Sequence, residues 1–185
     1  MKLKMLNRLS SKKSDNNRIR REGNIPAVIY SPGVANESVT VDGVAFKEVI
    51  RKMISGRLST TKFVLVDGEK EVPAIIKEIQ YHPTTYQVLH LDFERMIPGV
   101  SMSLNIPVEF AGVAECVGIK LGGFLRTVVR HVKVSCVPEN IPEVFTIDVK
   151  DLAIGQSARL SSIQMPEGVT PKNSLKEVAV VIAKR

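Results

Sequence analysis

His90 and Asp92 are the pair of residues whose types and spacing best suit chemistry in this sequence. They lie two positions apart in the segment VLHLDFERM, in which apolar and polar residues alternate. A period of two is typical of a β-strand, so the pattern predicts a strand over residues 84–93 that carries both side chains on one face. On that face the Asp92 carboxylate can orient or charge the His90 imidazole. Val88 is expected on the same face, and the opposite face is expected to hold Leu89, Leu91 and Phe93.

Three kinds of catalytic site can be compared with the sequence. His90 and Asp92, together with the distant His131, match in outline the two-histidine, one-carboxylate site of non-haem iron oxygenases. The segment GIKLGG at 118–123 is similar to a phosphate-binding loop, but it lacks the Gly-Lys-Ser/Thr ending and the helix that should follow, which favours a turn or hairpin loop. No G-x-S-x-G nucleophile motif occurs. The iron site is kept as an alternative, and no catalytic residue is predicted.

The positive charge of the chain is concentrated in its first 21 residues. This segment has eight Lys or Arg residues and one acidic residue, Asp15, whereas the whole chain of 185 residues has 26 basic and 19 acidic residues and a net charge of +7. The remaining residues are therefore neutral in sum. A positive field at one end of a chain is typical of a protein that binds a polyanion. Nucleic acid is the first candidate, and an anionic membrane is the second.

The composition is that of a folded protein without a membrane span. The 44% of hydrophobic residues is enough for a packed core, and the length suits one large domain or two small ones. No apolar run approaches the roughly 18 residues of a membrane span, and the basic segment lacks the apolar centre of a secretory signal. A mitochondrial transit peptide is an alternative interpretation of that segment. Cys116 and Cys136 have neither metal-ligand nor redox spacing, so they are expected to be buried, reduced thiols.

The segment RIRREGNIPAVIY joins a cluster of arginines, Arg18, Arg20 and Arg21, to an apolar strand at 25–30, so the basic segment of residues 1–21 is interpreted as a charged arm attached to a β-core. Arginine guanidinium groups make planar, bidentate contacts with phosphates. Polar side chains on predicted strands can in turn read base edges and 2′-hydroxyls in the shallow minor groove of RNA. These polar side chains are Tyr30, Gln80, His90 and Asp92. The alternative is an ordinary solvated strand face beside a disordered basic tail.

The rest of the first half of the chain predicts one helix and a hairpin. A short strand at 37–41 precedes a helix with apolar residues at helical spacing and Asp42 as its N-terminal cap. An Asp-Gly pair predicts a tight turn between strands at 63–66 and 71–80. The apolar face of the helix is predicted to comprise Phe46, Val49, Ile50, Met53 and Ile54.

The second half of the chain is dominated by alternating apolar residues. The Pro98-Gly99 pair interrupts the pattern and marks a predicted boundary between a domain of residues 1–95 and one of residues 96–185. Beyond it, alternation predicts strands at 101–110, 131–136, 145–149 and 178–182, with a helical turn at 151–154. The predicted fold class is mainly β (α+β): a small N-terminal β-barrel with a packed helix, followed by a β-rich C-terminal domain.

Several strings resemble one known family. RIRREGNIPAVIYSPG, VLVDGEKEVPAIIKEIQYHP and VLHLDFERM occur in that order. They resemble the two-domain general stress protein CTC family, bacterial large-subunit ribosomal proteins that bind 5S ribosomal RNA. The resemblance continues through NIPVEF, GIKLGGFL and VSCVPENIPEVFTIDVKDLAIGQSARL, so it extends over nearly the whole chain. It implies an N-terminal barrel that binds the loop E region of 5S rRNA in its minor groove.

The resemblance also implies which residues contact RNA. The expected RNA-binding residues, which include the arginine cluster, are Lys13, Arg18, Arg20, Arg21, Tyr30, Lys77, Gln80, His90 and Asp92. Lys77 stands where the family has an amide and could hold a phosphate. Strict alternation puts Lys77 and Gln80 on opposite strand faces, so both can face RNA only if the strand bulges or ends near Pro83.

The expected function is that of a structural constituent of the large ribosomal subunit, with 5S rRNA and neighbouring subunit components as partners. No enzymatic activity, cofactor, metal, membrane or small-molecule substrate is expected, and the expected location is the ribosome in the bacterial cytoplasm. The alternative function is a non-haem iron enzyme that uses His90, Asp92 and His131. Residues 1–95 are expected to suffice for RNA binding, and residues 7–17 are expected to be mobile in the RNA-free protein.

Overall fold

The fold is that of a computed structural model, which describes residues 1–8, 12–54, 56–68 and 70–184. The chain divides into two compact units, Met1–Ile97 and Pro98–Arg185. The fold is mainly β with a few short helices, as the alternation predicted. In the part of the chain described, no helix combines the length and the apolar character needed to cross a membrane.

The first unit is a closed six-stranded barrel with two helices. Its elements are β1 (Lys2–Asn7), α1 (Lys13–Arg21), β2 (Ile25–Ser31), β3 (Val34–Val41), α2 (Gly43–Lys52), β4 (Lys62–Asp67), β5 (Lys70–Tyr81) and β6 (Val88–Arg95). Around the barrel the strands follow the order β1-β3-β2-β6-β5-β4. The β1–β4 and β2–β6 pairs are parallel, and the other pairs are antiparallel.

The inward side chains of these strands form one apolar core. Alternate residues of each strand point inward, and Phe63 and Phe93 meet there edge to face with ring centroids 6.2 Å apart. Helix α2 packs Phe46 into the core. Asp42 caps this helix as predicted, because its carboxylate accepts from two backbone amides of the first turn. The helix is shorter than predicted: it ends at Lys52, and Ile54 is 61% exposed.

The first seven residues are part of the barrel, so the interpretation of the whole basic segment as an arm outside the core is wrong. Strand β1 pairs with β3 on one side and with β4 on the other. Leu3 and Met5 are buried, whereas Lys2 and Lys4 are exposed. The alternation of these four residues is the sequence signal for the strand.

The arginine cluster lies on a helix. Arg18, Arg20 and Arg21 occupy the last turn of α1, where positive charge complements the helix dipole. Gly23, with φ 84°, ends the helix: its amide donates to the Arg20 carbonyl, and the Asn24 amide donates to the Ile19 carbonyl. Residues 9–11 of the segment predicted to be mobile lie outside the described residues, and residues 13–17 are in α1. The mobility of this segment stays a prediction.

The β5–β6 connection is longer than the alternation predicted. Residues 84–87 form a turn rather than the start of a strand, because the His82 ring Nδ1 accepts from the amides of Thr84 and Thr85. A register shift between Gln80 and Tyr81 also changes the direction in which the side chains at the start of β6 point. Leu91 and Phe93 are in the core, as expected. Val88 instead packs against the core and does not share the face of His90, and Leu89 is half-buried.

The second unit consists of two small sheets. Its strands are β7 (Met102–Ala111), β8 (Gly123–Thr127), β9 (His131–Cys136), β10 (Phe145–Asp148), β11 (Ser157–Arg159), β12 (Thr170–Pro171) and β13 (Val178–Lys184). The sheet orders are β10-β7-β9-β12 and β11-β13-β8, and a short helix α3 (Val117–Lys120) precedes β8. The segment 151–154 forms turns, so the predicted helical turn is wrong. Cys116 and Cys136 are both buried and are not joined in a disulfide, as expected.

Candidate nucleic-acid interface

Three neighbouring strands of the barrel, β2, β6 and β5, bring polar side chains from distant parts of the chain onto one outer face. In the parallel β2–β6 pair, Tyr30 lies beside Glu94. In the antiparallel β5–β6 pair, Gln80 lies beside His90. Directly opposed residues in adjacent strands project on the same side of a sheet. The predicted site residues of these strands therefore share a surface with two glutamates that were not predicted. We call this surface the polar sheet face, and its residues are Tyr30, Lys77, Glu78, Gln80, His90, Asp92 and Glu94.

Asp92 links the central residues of the polar sheet face. Its Oδ1 lies 2.6 Å from Nδ1 of His90, and its Oδ2 accepts from the Tyr30 hydroxyl at 3.3 Å. An ionised carboxylate only accepts hydrogen bonds, so Nδ1 of His90 carries the proton in this contact. In the neutral imidazole, Nε2 is then an acceptor. Each Asp92 oxygen keeps a further lone pair, so Asp92 can also accept from a ligand, as can Nε2 of a neutral His90.

Tyr30 lies at the exposed side of this network. Its side chain is 37% exposed, so the ring is accessible while the hydroxyl is oriented by Asp92. Partial burial raises the pKa of the Tyr30 hydroxyl, and the negative charge of Asp92, the hydrogen bond to it and the charge of Glu78 raise it further. The hydroxyl is therefore kept neutral and able to donate.

Lys77 and Gln80 share the outer face because β5 bulges. The register passes from Ile76 opposite Phe93 to Glu78 opposite Asp92, which leaves Lys77 as the additional residue. The Lys77 ammonium group lies 2.7 Å from the Glu94 carboxylate. The bulge that Lys77 and Gln80 need in order to lie on the same strand face is thus present.

Helix α1 adds cations beside the polar sheet face. Arg20 is half-buried, and its Nε donates to the Leu89 carbonyl of the β6 strand at 3.1 Å. Arg18 is largely in solvent: its side chain is 72% exposed, and its ion pairs with the described residues Asp15 and Glu22 are long, at 4.0 Å and 3.9 Å. Lys13 and Arg21 are exposed as well. Arg20 is therefore held next to the strands, whereas Lys13, Arg18 and Arg21 are accessible on the helix surface.

Arg8 is a cation of this region that sequence reasoning did not single out. It follows β1, and its Nη1 contacts the Asn16 side chain on α1. Burial lowers the pKa of the Arg8 guanidinium, and the positive charge of Arg20 lowers it further. Two guanidinium groups close enough to repel each other would both attract an anion. The sequence signal for Arg8 was its position directly after the alternation of Leu3 and Met5 with lysines. This alternation predicts a strand, and a residue next to that strand lies close to the barrel.

Glu78 and Glu94 are two acidic residues of the polar sheet face that were also missed. Glu78 lies opposite Asp92, and Glu94 is paired with Lys77. Carboxylates repel phosphates, so the centre of this face favours hydrogen-bond donors of bases and sugars over the phosphate backbone. Cations lie at the edge of this face, where an anion such as a phosphate would be attracted.

The iron-site alternative gains no support. His131 lies on β9 of the second unit, whereas His90 and Asp92 lie on β6 of the first. Within the described ranges, no group of three His, Cys, Asp or Glu side chains is arranged to hold a metal ion.

Comparison with known proteins gives one consistent family. Residues 3–93 match the Ribosomal L25p family, and residues 101–185 match the C-terminal domain of ribosomal protein TL5. The chain is 44% identical over 185 residues to the large ribosomal subunit protein bL25 of Chlamydia trachomatis, and the match covers all of both chains. The proteins of the same name from Chlamydia muridarum and Chlamydia pneumoniae are 43% and 40% identical, again over the full length of both chains.

Proposed function

The chain belongs to the ribosomal L25p family, and from this premise we propose that its barrel binds the loop E region of 5S rRNA in the minor groove. As a member of this family it is a structural constituent of the large ribosomal subunit and not an enzyme. Its partners are ribosomal components, and in a bacterial cell it works as part of the cytoplasmic ribosome.

The observation that carries the proposal is the polar sheet face itself. Tyr30, Gln80, His90 and Asp92 come from three strands and share one outer surface, on which Tyr30 and Gln80 are exposed and the side chains of His90 and Asp92 are 19% and 17% exposed. An A-form helix has a wide, shallow minor groove in which base edges and 2′-hydroxyls are accessible. The outer face of a barrel can approach such a groove closely, whereas it cannot enter the deep, narrow major groove.

The hydrogen-bonding character of this face fits the groups of a minor groove. Asp92 accepts from 2′-hydroxyls and from the guanine amino group, and its contacts with Tyr30 and His90 orient it before RNA arrives. Gln80 has both a donor and an acceptor. A purely electrostatic complex would gain nothing from Asp92, so its central position supports recognition of base and sugar groups.

The arginines at the edge supply affinity and register. Arg20 is held beside the strands, Arg8 is within electrostatic reach of it, and Arg18 is accessible on α1. Phosphate contacts release counterions and position a protein on RNA without reading its sequence. Charge at the edge and acceptors at the centre together favour one orientation of the RNA on the barrel.

The test is a titration of the full chain with two RNAs. One is a 5S rRNA fragment that contains loop E, and the other is a fragment of equal length and charge in which loop E is replaced by Watson–Crick pairs. Strong preference for the first is expected, since the acceptors of the polar sheet face match a distinctive groove rather than any duplex. Equal affinity for both RNAs would contradict the proposal.

A further inference from the structure

The first unit has a recess whose lining differs chemically from that of the polar sheet face. It lies between helix α2 and the turn that joins β5 to β6, and it has a volume of about 350 Å³. Two tyrosines, two cations, two apolar residues and two small polar groups form its walls. The lining residues are Lys47, Ile50, Arg51, Tyr81, Thr85, Tyr86, Gln87 and Val88.

The turn holds Tyr86 in an unusual conformation. Its φ is 54°, in the left-handed region that is costly for an aromatic residue. The backbone is fixed there by two hydrogen bonds, from the Tyr86 amide to the His82 carbonyl at 2.9 Å and from the His82 amide to the Gln87 carbonyl at 2.8 Å. The Tyr86 side chain is nevertheless 77% exposed. Core packing therefore does not explain why an aromatic residue stands at this position.

The floor of the recess is apolar and rests on the barrel core. Ile50 and Val88 line it, and both also pack against the barrel core. Tyr81, at the end of β5, is 48% exposed and adds a second accessible ring. The recess is thus an apolar, aromatic surface that adjoins the barrel core.

Positive charge surrounds this surface. Lys47 and Arg51 are four residues apart on α2 and therefore lie on one face of the helix. Of the described residues that line the recess, none is acidic. Two cations exclude the quaternary ammonium ligands that aromatic sites otherwise favour. The ligand class that needs aromatic surface, cations and a few hydrogen bonds together is a nucleotide.

We propose that this recess binds an unpaired RNA nucleotide, with its base against the Tyr81 and Tyr86 rings and its phosphate on Lys47 and Arg51. Bases inside a duplex are stacked on each other, so only a splayed or single-stranded nucleotide can enter. Aromatic side chains stack on such bases with little sequence preference. Thr85 and Gln87 add hydrogen bonds to the base edge. The proposal deepens the proposed function, because it gives the same barrel a single-strand contact beside the face that reads a groove.

The test uses the full chain and a short unstructured RNA oligonucleotide as probe. Tyr86→Asn removes the ring but tolerates the left-handed backbone, and it should weaken binding by about tenfold, within the range seen for loss of one stacked base. Tyr86→Phe retains the ring and should bind like the parent. Arg51→Gln should weaken binding, whereas Lys52→Gln, an equal loss of charge at an exposed neighbour outside the recess, should have less effect.

Ring protons report the contact directly. On addition of the oligonucleotide, NMR signals of the Tyr81 and Tyr86 rings should shift upfield through base stacking. A parent protein that binds the oligonucleotide no better than Tyr86→Asn would overturn the proposal, as would shifts caused equally by an acidic peptide, which would indicate a protein partner.

Failure of this site and failure of the proposed function are distinguishable. Tyr86→Asn should leave the preference for loop E over the paired control RNA unchanged. A protein that lacks this preference but still stacks the oligonucleotide on Tyr86 would contradict the proposed function and retain the recess site. The reverse pattern would remove the recess site alone.

Discussion

The Tyr30 hydroxyl donates to the Asp92 carboxylate across 3.3 Å, although the two residues are 62 positions apart in the chain. The other oxygen of the same carboxylate contacts His90 at 2.6 Å. The parallel pairing of β2 with β6 makes this arrangement possible. It places an anion, already oriented by two donors, at the centre of a surface proposed to bind a polyanion.

Asp92→Ala should weaken binding to loop E RNA by about 1–3 kcal/mol, because an RNA donor loses its acceptor. Binding to unrelated duplex RNA should change little. Titration of parent and variant with both RNAs measures the difference. Asp151→Ala, which removes an exposed carboxylate from the second unit, is the matched control and should have no effect. If the complex were purely electrostatic, Asp92→Ala would bind more tightly than the parent.

Arg20→Ala should weaken binding to all RNAs alike and lower the slope of log affinity against log salt by about one unit. The reason is the loss of a phosphate contact made by a side chain that Leu89 holds in position. Affinities measured at several salt concentrations give the slope. Arg126→Ala, an exposed arginine on β8, should leave the slope unchanged. A loss confined to loop E RNA would instead assign Arg20 to base recognition.

Ionisation of Tyr30 should destabilise the barrel at alkaline pH. Its pKa is raised in the folded protein, so its contribution to stability is present below the unfolded-state pKa, about 10, and is lost as the pH rises through the folded-state pKa. The free energy of unfolding, measured by denaturation at several pH values, should therefore fall more steeply with rising pH for the parent than for Tyr30→Phe. Asp92→Asn should return the Tyr30 pKa, measured from phenolate absorbance, towards its ordinary value. An unchanged Tyr30 pKa in Asp92→Asn would contradict the contact.

Gly43→Ala should destabilise the first unit by about 1–3 kcal/mol. A Cβ at Gly43 would overlap the carbonyl oxygen of Gly23 and approach Ile25, and both neighbours are fixed by the end of α1 and the start of β2. Chemical denaturation measures the loss. Val44→Ala, in the same helical turn but with an exposed side chain, should change stability by less than about 0.5 kcal/mol. Equal effects of the two substitutions would show that the close approach carries no cost.

A fragment of residues 1–97 should bind loop E RNA with the affinity of the whole chain. The polar sheet face and all of the expected RNA-binding residues lie within this unit. A fragment of residues 98–185 should not bind that RNA. Direct titration of both fragments is the measurement, and comparable binding by the second fragment would contradict this assignment.

The sequence by itself predicted the mainly β class, the Asp42 cap and the common face of His90 and Asp92. These features depend on local signals: a period of two along a strand, and a carboxylate directly before a helix. The same signal existed for β1 in the alternation of Leu3 and Met5 with lysines, but the high charge of the segment led to its interpretation as an arm.

The tertiary structure alone decided which distant residues meet. β1 is a barrel strand because it pairs with β3 and β4, and Tyr30 reaches Asp92 because β2 lies beside β6. The Lys77 bulge and the turn after His82 set which side chains face outward, and neither follows from a period of two. Local periodicity fixes the direction of a side chain relative to its own strand. Strand order and bulges depend on the packing of the whole barrel, so only the folded chain brings the site together.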